Sequence, residues 1–137
     1  MKTVLLLAAV GCISASIALA QSGEARRALT QVTDDVWRFD NNFHASMVVV
    51  TEAGAVVGDP INAEAASWLE GEIASRFGKE VDYVLASHSH ADHAAGGEVF
   101  ADTATIVAHA NYRGAVGQQF GPTQAAHLTF NDKLTLE

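Results

Sequence analysis

Three histidines and one aspartate lie within six consecutive positions of this 137-residue sequence: His88, His90, Asp92 and His93. Neutral imidazole nitrogens and carboxylate oxygens are common ligands of zinc. His88 and His90 are two positions apart in a segment expected to be extended, so their side chains project to the same side and can converge on one ion. Asp92 and His93 come next, where the chain should turn, and they could bind a second ion a few ångströms away.

Two metal ions a few ångströms apart would activate a water molecule for hydrolysis. Metal ions about 3.5–4 Å apart can bridge and deprotonate one water molecule, which makes hydroxide available at neutral pH. The alternative is a set of solvated loop residues without a metal. Four ligand-type side chains at the end of one strand seldom lack a metal role, so we interpret the cluster as a metal site.

The elements that must position this cluster alternate between strands and helices. Apolar and β-favouring runs predict strands at residues 36–40, 45–51, 55–57, 81–86 and 105–108. The run Met47–Val50 is almost continuously apolar, which favours a strand buried on both faces. Gly58-Asp59-Pro60 ends the third strand, and the fourth strand leads directly into the cluster.

The segment between the third and fourth strands has the pattern of an amphipathic helix. Asn62 can cap its amino end, and Gly78 is placed to end it. An apolar residue recurs every four positions and predicts one buried stripe, which consists of Ala65, Leu69, Ile73 and Phe77. Short helices are expected at 94–100 and 111–115, a loop at 117–123, and a hairpin at 128–136. This order predicts an α/β layered domain.

The first 20 residues have the pattern of a secretory signal. Lys2 precedes an apolar run, and Ala18-Leu19-Ala20 ahead of Gln21 is typical of a small-residue cleavage site. A stable membrane span is disfavoured, because about 20 strongly apolar residues are needed and glycine and serine interrupt this run. We expect a signal peptide at 1–20 and a periplasmic or secreted protein. Lipoprotein anchoring at Cys12 is a lesser alternative.

Composition excludes several classes of function. The 8 basic residues against 16 acidic ones give a net charge of −8. A protein of this charge lacks the basic surface that neutralises phosphates, so no nucleic-acid partner is expected. A hydrophobic fraction of 49% argues against disorder. The single cysteine excludes a disulfide framework and a cysteine-rich zinc cage.

The cluster and its surroundings resemble a known family. Residues 88–93, together with Gly96-Gly97, are similar to the metal-binding motif of the metallo-β-lactamase-fold hydrolases. The hairpin, Gly58-Asp59-Pro60, the helix and the strand at 83–87 also match the first half of that family's domain. The resemblance runs from about residue 32 to the end. It implies an αββα sandwich with zinc at the edge of two sheets.

The resemblance also implies roles for single residues. His88 and His90 would bind the first zinc ion, and Asp92 and His93 the second. Asp92 would in addition orient the attacking water, which makes it the expected catalytic residue. Asp59, at a strand end, resembles an acid that steadies the metal ligands from behind.

The sequence departs from the family pattern downstream of the motif. The family has a third histidine for the first zinc, a bridging aspartate or a cysteine, and a last histidine for the second zinc, all later in the chain. Here only His109 and His127 remain, and we interpret both as structural, together with His44 on an apolar strand. The chain therefore resembles the amino-terminal half of such an enzyme. We expect the missing carboxyl-terminal half to be required, and these 137 residues alone to be poorly active.

The expected activity is hydrolysis of a small molecule by zinc-activated hydroxide, on a β-lactam, ester, thioester or lactone. One or two zinc ions are expected, and iron is an alternative metal. An iron-dependent sulfur oxygenase of the same fold is the alternative among enzymes. A non-catalytic secreted zinc-binding domain is the alternative outside them. Metal analysis and an Asp92→Ala substitution would separate these three functions.

Overall fold

The computed structural model describes residues 24–115 and 125–136. The predicted signal peptide with Cys12 and the loop predicted at 117–123 lie outside these residues. The described residues form a seven-stranded sheet in which the strands succeed one another in chain order. The predicted mixed α/β class is confirmed.

The strands are β1 (Arg27–Gln31), β2 (Val36–Asn41), β3 (His44–Val50), β4 (Ala55–Gly58), β5 (Val81–Ala86), β6 (Thr105–His109) and β7 (Leu128–Phe130). The helices are α1 (Ala63–Phe77), α2 (Ala91–Ala94) and α3 (Ala110–Ala115), with a 3-10 helix at Gly97–Phe100. No helix in 24–115 or 125–136 is long and apolar enough to cross a membrane.

The direction of the strands determines where the site forms. Strands β1 to β4 pair antiparallel, whereas β4 to β7 pair parallel. The carboxyl ends of β4, β5 and β6 therefore lie at one edge of the sheet. The amino end of β3 lies at the same edge, because β3 runs opposite to β4. Asp59, His88 and His44 are thus brought to one place from three different strands.

Helix α1 covers one face of the sheet. Its cap is as predicted, because the Asn62 side chain accepts a hydrogen bond from the Ala65 N–H at 2.9 Å. Gly78 ends the helix with a φ of 63°, which glycine adopts without steric cost. Ala65, Leu69 and Ile73 are fully buried, and Phe77 is half-buried against Trp37. The predicted stripe is therefore the face that packs on the sheet.

The core lies between α1 and this face of the sheet. Phe39 is fully buried and stacks on Trp68 of the helix, with ring centroids 5.7 Å apart. Strands β3, β4 and β5 add Val48, Val57 and Val84, all almost completely buried. Every second residue of a strand faces this core, as the pleat requires.

Three local predictions are wrong. Strand β1 was not expected, because its short run of mixed polarity gives no periodic signal and forms only by pairing with β2. The hairpin expected at 128–136 is a single strand, β7, and residues 133–136 are irregular. Strand β3 is not buried on both faces: Val48 is fully buried, but Met47, on the opposite face, is 43% exposed.

Candidate metal centre

The predicted ligand cluster lies just after β5 at the edge of the sheet. His88 lies two residues after the strand, His90 precedes helix α2, and Asp92 and His93 lie within that single-turn helix. The ring centroid of His88 is 4.8 Å from that of His90 and 4.2 Å from that of His93. The turn therefore brings three imidazoles together that an extended chain would spread along its length.

Two backbone contacts fix this turn against the start of α1. The His93 carbonyl accepts a hydrogen bond from the Ile61 N–H at 3.2 Å. Gly96 has a φ of 92°, and a Cβ atom placed on it would lie 2.5 Å from the Asn62 carbonyl carbon. Only glycine allows the two segments to approach so closely. Gly96 thus sets the position of the ligand-bearing turn.

Asp59 lies behind the imidazoles and is 13% exposed at its side chain. Its Oδ1 accepts a hydrogen bond from the Ser87 N–H at 2.8 Å, and its Oδ2 accepts one from the Ser87 hydroxyl at 2.6 Å. The same Oδ2 is 2.9 Å from Nδ1 of His93. This carboxylate is therefore the shared acceptor that connects β4, β5 and α2.

This network determines which imidazole nitrogens carry protons. An ionised carboxylate only accepts hydrogen bonds, so His93 Nδ1 must be protonated, and in the neutral ring Nε2 then keeps a lone pair. The single Ser87 hydroxyl proton goes to Asp59. His88 Nδ1, 2.9 Å from the Ser87 oxygen, must therefore donate to that oxygen. His88 and His93 both present an unprotonated Nε2, which is the form that binds a metal.

Asp92 lies on the far side of His93 from Asp59. Its Oδ2 is 3.7 Å from His93 Nε2 and 3.2 Å from His44 Nε2. Desolvation raises the pKa of this carboxyl, but its own backbone N–H, the hydrogen bond with His44 and electrostatic attraction to the His93 and His44 rings outweigh it. The pKa of Asp92 is therefore below its ordinary value, and the group is an anion at neutral pH.

These donors fit a zinc ion. Two atoms bound to one zinc at about 2.0–2.2 Å each lie no more than about 4.4 Å apart. Asp92 Oδ2 and His93 Nε2, 3.7 Å apart, meet this limit. One ligand atom from each of Asp59, His88 and His93 lies within 4.8 Å of the others, an upper bound slightly above this limit. Because Asp59 already accepts three hydrogen bonds, we assign it to orienting the ligands rather than to binding the ion.

Sequence reasoning missed two residues of this site. His44 was interpreted as structural, but its ring is 37% exposed and contacts Asp92. It reaches the cluster because β3 begins at the edge where β4 and β5 end. Ser87, which connects Asp59 to His88, gave no signal beyond its place between a strand and a histidine.

The two later histidines have structural contacts. His109 Nδ1 accepts from the Asn111 N–H at 3.2 Å, and its Nε2 lies 2.9 Å from the Asn131 carbonyl. The Nε2 contact joins β6 to the segment after β7, and the Nδ1 contact is to Asn111 in α3. His127 Nδ1 accepts from the Ile106 N–H at 3.2 Å. These contacts agree with the structural interpretation of both residues.

Comparison with known proteins identifies the fold. The model of the metallo-beta-lactamase superfamily matches residues 40–117. Among solved structures, a metallo-beta-lactamase from Pontibacter korlensis has a TM-score of 0.71 at 20% identity, over 82% of this chain and 56% of the other. The metallo beta lactamase from Hirschia baltica has a TM-score of 0.66 at 14% identity, over 79% and 53%.

A third solved structure is the metallo-beta-lactamase FIM-1 from Pseudomonas aeruginosa in its mono-zinc form. Its TM-score is 0.61 at 14% identity, over 73% of this chain and 50% of the other. No curated protein sequence matches the chain.

At these identities the likenesses show the fold alone, and the chain spans about half the length of the solved structures it matches. The family model, by contrast, covers more than half of this sequence. The chain belongs to the metallo-beta-lactamase superfamily.

Proposed function

We propose that this protein is an exported zinc-dependent hydrolase that acts on a small molecule with a β-lactam, ester, thioester or lactone bond. The observation that carries the proposal is the arrangement at the sheet edge. Two imidazoles with unprotonated Nε2 atoms and an anionic Asp92 converge there, each held by a hydrogen bond from outside the ligand set. Such preorganisation is what a metal-dependent active site requires.

In this proposal His88 and His90 hold one ion, and Asp92 and His93 hold another. A zinc ion held there would supply hydroxide at neutral pH, because a zinc-bound water has a pKa of about 7. Asp92 keeps its negative charge and accepts a hydrogen bond from the attacking water, which aims the water at the substrate. Asp59 and Ser87 keep His88 and His93 in the required tautomers.

The open face of the sheet supports a further part of the proposal, that a carboxyl-terminal half completes the site. A groove of about 530 Å³ on this face is lined by apolar residues, among them Met47, Leu85 and Phe130. Asp59 and Ser87 also line it, so the groove reaches the metal centre. A carboxyl-terminal half that covers the groove would lie next to the metal centre, where it could contribute the remaining ligands and the walls of a substrate pocket.

Iron is the second candidate metal, because imidazole and carboxylate ligands without thiolate suit iron as well as zinc. A sulfur oxygenase is the activity that iron would favour. Elemental analysis of the protein purified from its native source separates the two. One or more equivalents of zinc supports the hydrolase, and iron in its place supports the oxygenase.

The test of the hydrolase is the substitution Asp92→Ala. We expect kcat on a panel of chromogenic β-lactams, nitrophenyl esters, thioesters and lactones to fall by about 10²–10⁴-fold, because the residue that orients the water is lost. Asp34→Ala is the matched control, since Asp34 is exposed in the β1–β2 turn at the opposite edge of the sheet. Zinc binding without turnover on any of these substrates would instead support a non-catalytic binding domain.

A further inference from the structure

The β2–β3 hairpin places His44 at the metal centre, and hydrogen bonds to neighbouring residues hold this hairpin in position. Asn41 and His44 are the last paired residues of the two strands, so the hairpin loop consists of Asn42 and Phe43. Asn42 adopts a φ of 56°, and its side-chain oxygen accepts from the Arg26 N–H at 3.0 Å. Asparagine is among the few residues that tolerate this backbone conformation.

A second contact holds the hairpin to the neighbouring strand. Asn41 is 4% exposed, and its side-chain oxygen accepts a hydrogen bond from Arg27 Nε at 2.9 Å. Asn42 also donates its backbone N–H to the Arg26 carbonyl at 2.8 Å. These contacts tie the end of β2 and the hairpin loop to residues 26 and 27. His44 pairs with Asn41 across the hairpin, so its ring approaches Asp92 from a backbone that is held in place.

Asp92, by contrast, has little support from its own element. It lies on the single turn of α2, and its side chain is 55% exposed. A side chain this exposed can adopt several rotamers unless a partner selects one. Beyond its own turn, the described partner within hydrogen-bond distance is His44, whose Nε2 is 3.2 Å from Oδ2. A lone pair on that nitrogen would repel the carboxylate, so Nε2 carries the proton and donates it.

We propose that His44 is a positioning residue that holds the Asp92 carboxylate at the separation from His93 at which both can bind one ion. This inference rests on the proposed function. The two sides of the ligand pair are then held by different strands: Asp59, after β4, orients His93 through Nδ1, and His44, at the start of β3, orients Asp92. His44 acts through Asp92 and does not itself bind the metal.

The test compares His44→Ala with His44→Gln, and uses His127→Gln as the control at an exposed histidine outside the cluster. The measurements are zinc stoichiometry, zinc affinity by competition with a chromophoric chelator, the visible spectrum of the cobalt-substituted protein, and kcat and KM. Because His44 is partly exposed, both variants should fold, and circular dichroism checks this.

His44→Ala is expected to weaken the binding of one zinc equivalent by about 10–100-fold and to lower kcat more than it changes KM. His44→Gln should recover most of both losses, because its amide N–H can still donate to Asp92. The cobalt spectrum of His44→Gln should match that of the unsubstituted protein, since no ligand is lost.

Two results would overturn this inference. Equal loss of one ion in both variants, with the same change in the cobalt spectrum, would make His44 a ligand. Unchanged zinc affinity and kcat in His44→Ala would show that His44 does not position Asp92. Failure of the unsubstituted protein to bind zinc or cobalt would contradict the proposed function itself, so the two failures are distinguishable.

Discussion

At the scale of single residues, the candidate metal centre depends on which nitrogen of each imidazole carries a proton. Asp59 decides this for His93 directly and for His88 through the Ser87 hydroxyl. A carboxylate is required because it accepts at both oxygens and cannot donate. One half-buried acid therefore controls two candidate ligands that lie five positions apart in the sequence.

Asp59→Asn is predicted to weaken zinc binding by about 10–100-fold while the fold is kept. The amide has nearly the same shape, but its NH₂ group would face the Ser87 hydroxyl or His93 Nδ1. His93 would then accept at Nδ1 and carry its proton on Nε2, where the metal should bind. Chelator competition measures the loss, and circular dichroism monitors the fold.

Asp34→Asn is the matched control, because it makes the same chemical change at an exposed turn. An Asp59→Asn variant that binds zinc as tightly as this control would show that the tautomers are not set by Asp59.

At the scale of elements, two glycines differ in whether the surrounding backbone leaves space for a Cβ atom. Gly71 lies in the middle of α1, and a Cβ atom added there would meet nothing within 4 Å. Gly96 lies in the turn before the 3-10 helix, where a Cβ atom would clash with the backbone that starts α1. The two substitutions to alanine should therefore act in opposite directions.

Gly71→Ala is predicted to raise the free energy of unfolding by about 1 kcal/mol, because alanine restricts the unfolded chain and favours the helix. Urea denaturation measures the change, which should leave zinc affinity as it is. A decrease in stability would mean that α1 contacts a partner at this position.

Gly96→Ala is predicted to lower both stability and zinc affinity. The added methyl group forces the ligand-bearing turn away from Asn62, and a φ of 92° is strained for any residue with a side chain. Retention of both properties at the level of the unsubstituted protein would contradict the close approach of the two segments.

At the scale of the whole molecule, the two faces of the sheet differ. Helix α1 covers one face over a buried apolar core, whereas the other face carries the groove and the 43% exposed side chain of Met47. Apolar sheet surface of this kind is normally covered in a stable protein.

Met47→Glu tests the proposal that a carboxyl-terminal half covers this face. The test requires a protein whose intact mass, measured on material from the native source, exceeds 14.4 kDa. In that protein the substitution should lower the free energy of unfolding by at least about 2 kcal/mol, because a charge would be buried without a partner. Val32→Glu is the control on a residue that is 62% exposed. Equal small effects of both substitutions would mean that the face stays open to water.

The sequence alone was sufficient to predict helix α1 and the ligand cluster, which depend on neighbours along the chain. The spacing of apolar residues predicted α1, and Asn62 and Gly78 predicted its ends, because caps and stripes are local. The ligand types in residues 88–93 indicated a metal centre for the same reason. Strand β1 escaped prediction because it forms by pairing and carries no periodic pattern of its own.

The tertiary structure alone decided what meets across the chain. His44 and Asp92 are 48 positions apart, and they meet because β3 runs antiparallel to β4 while β5 runs parallel to it. The same pairing brings Asp59 within reach of Ser87 and His93. Residue spacing determines which way a side chain projects from its own strand. Which strand ends share an edge depends on long-range pairing, and the spacing does not encode it.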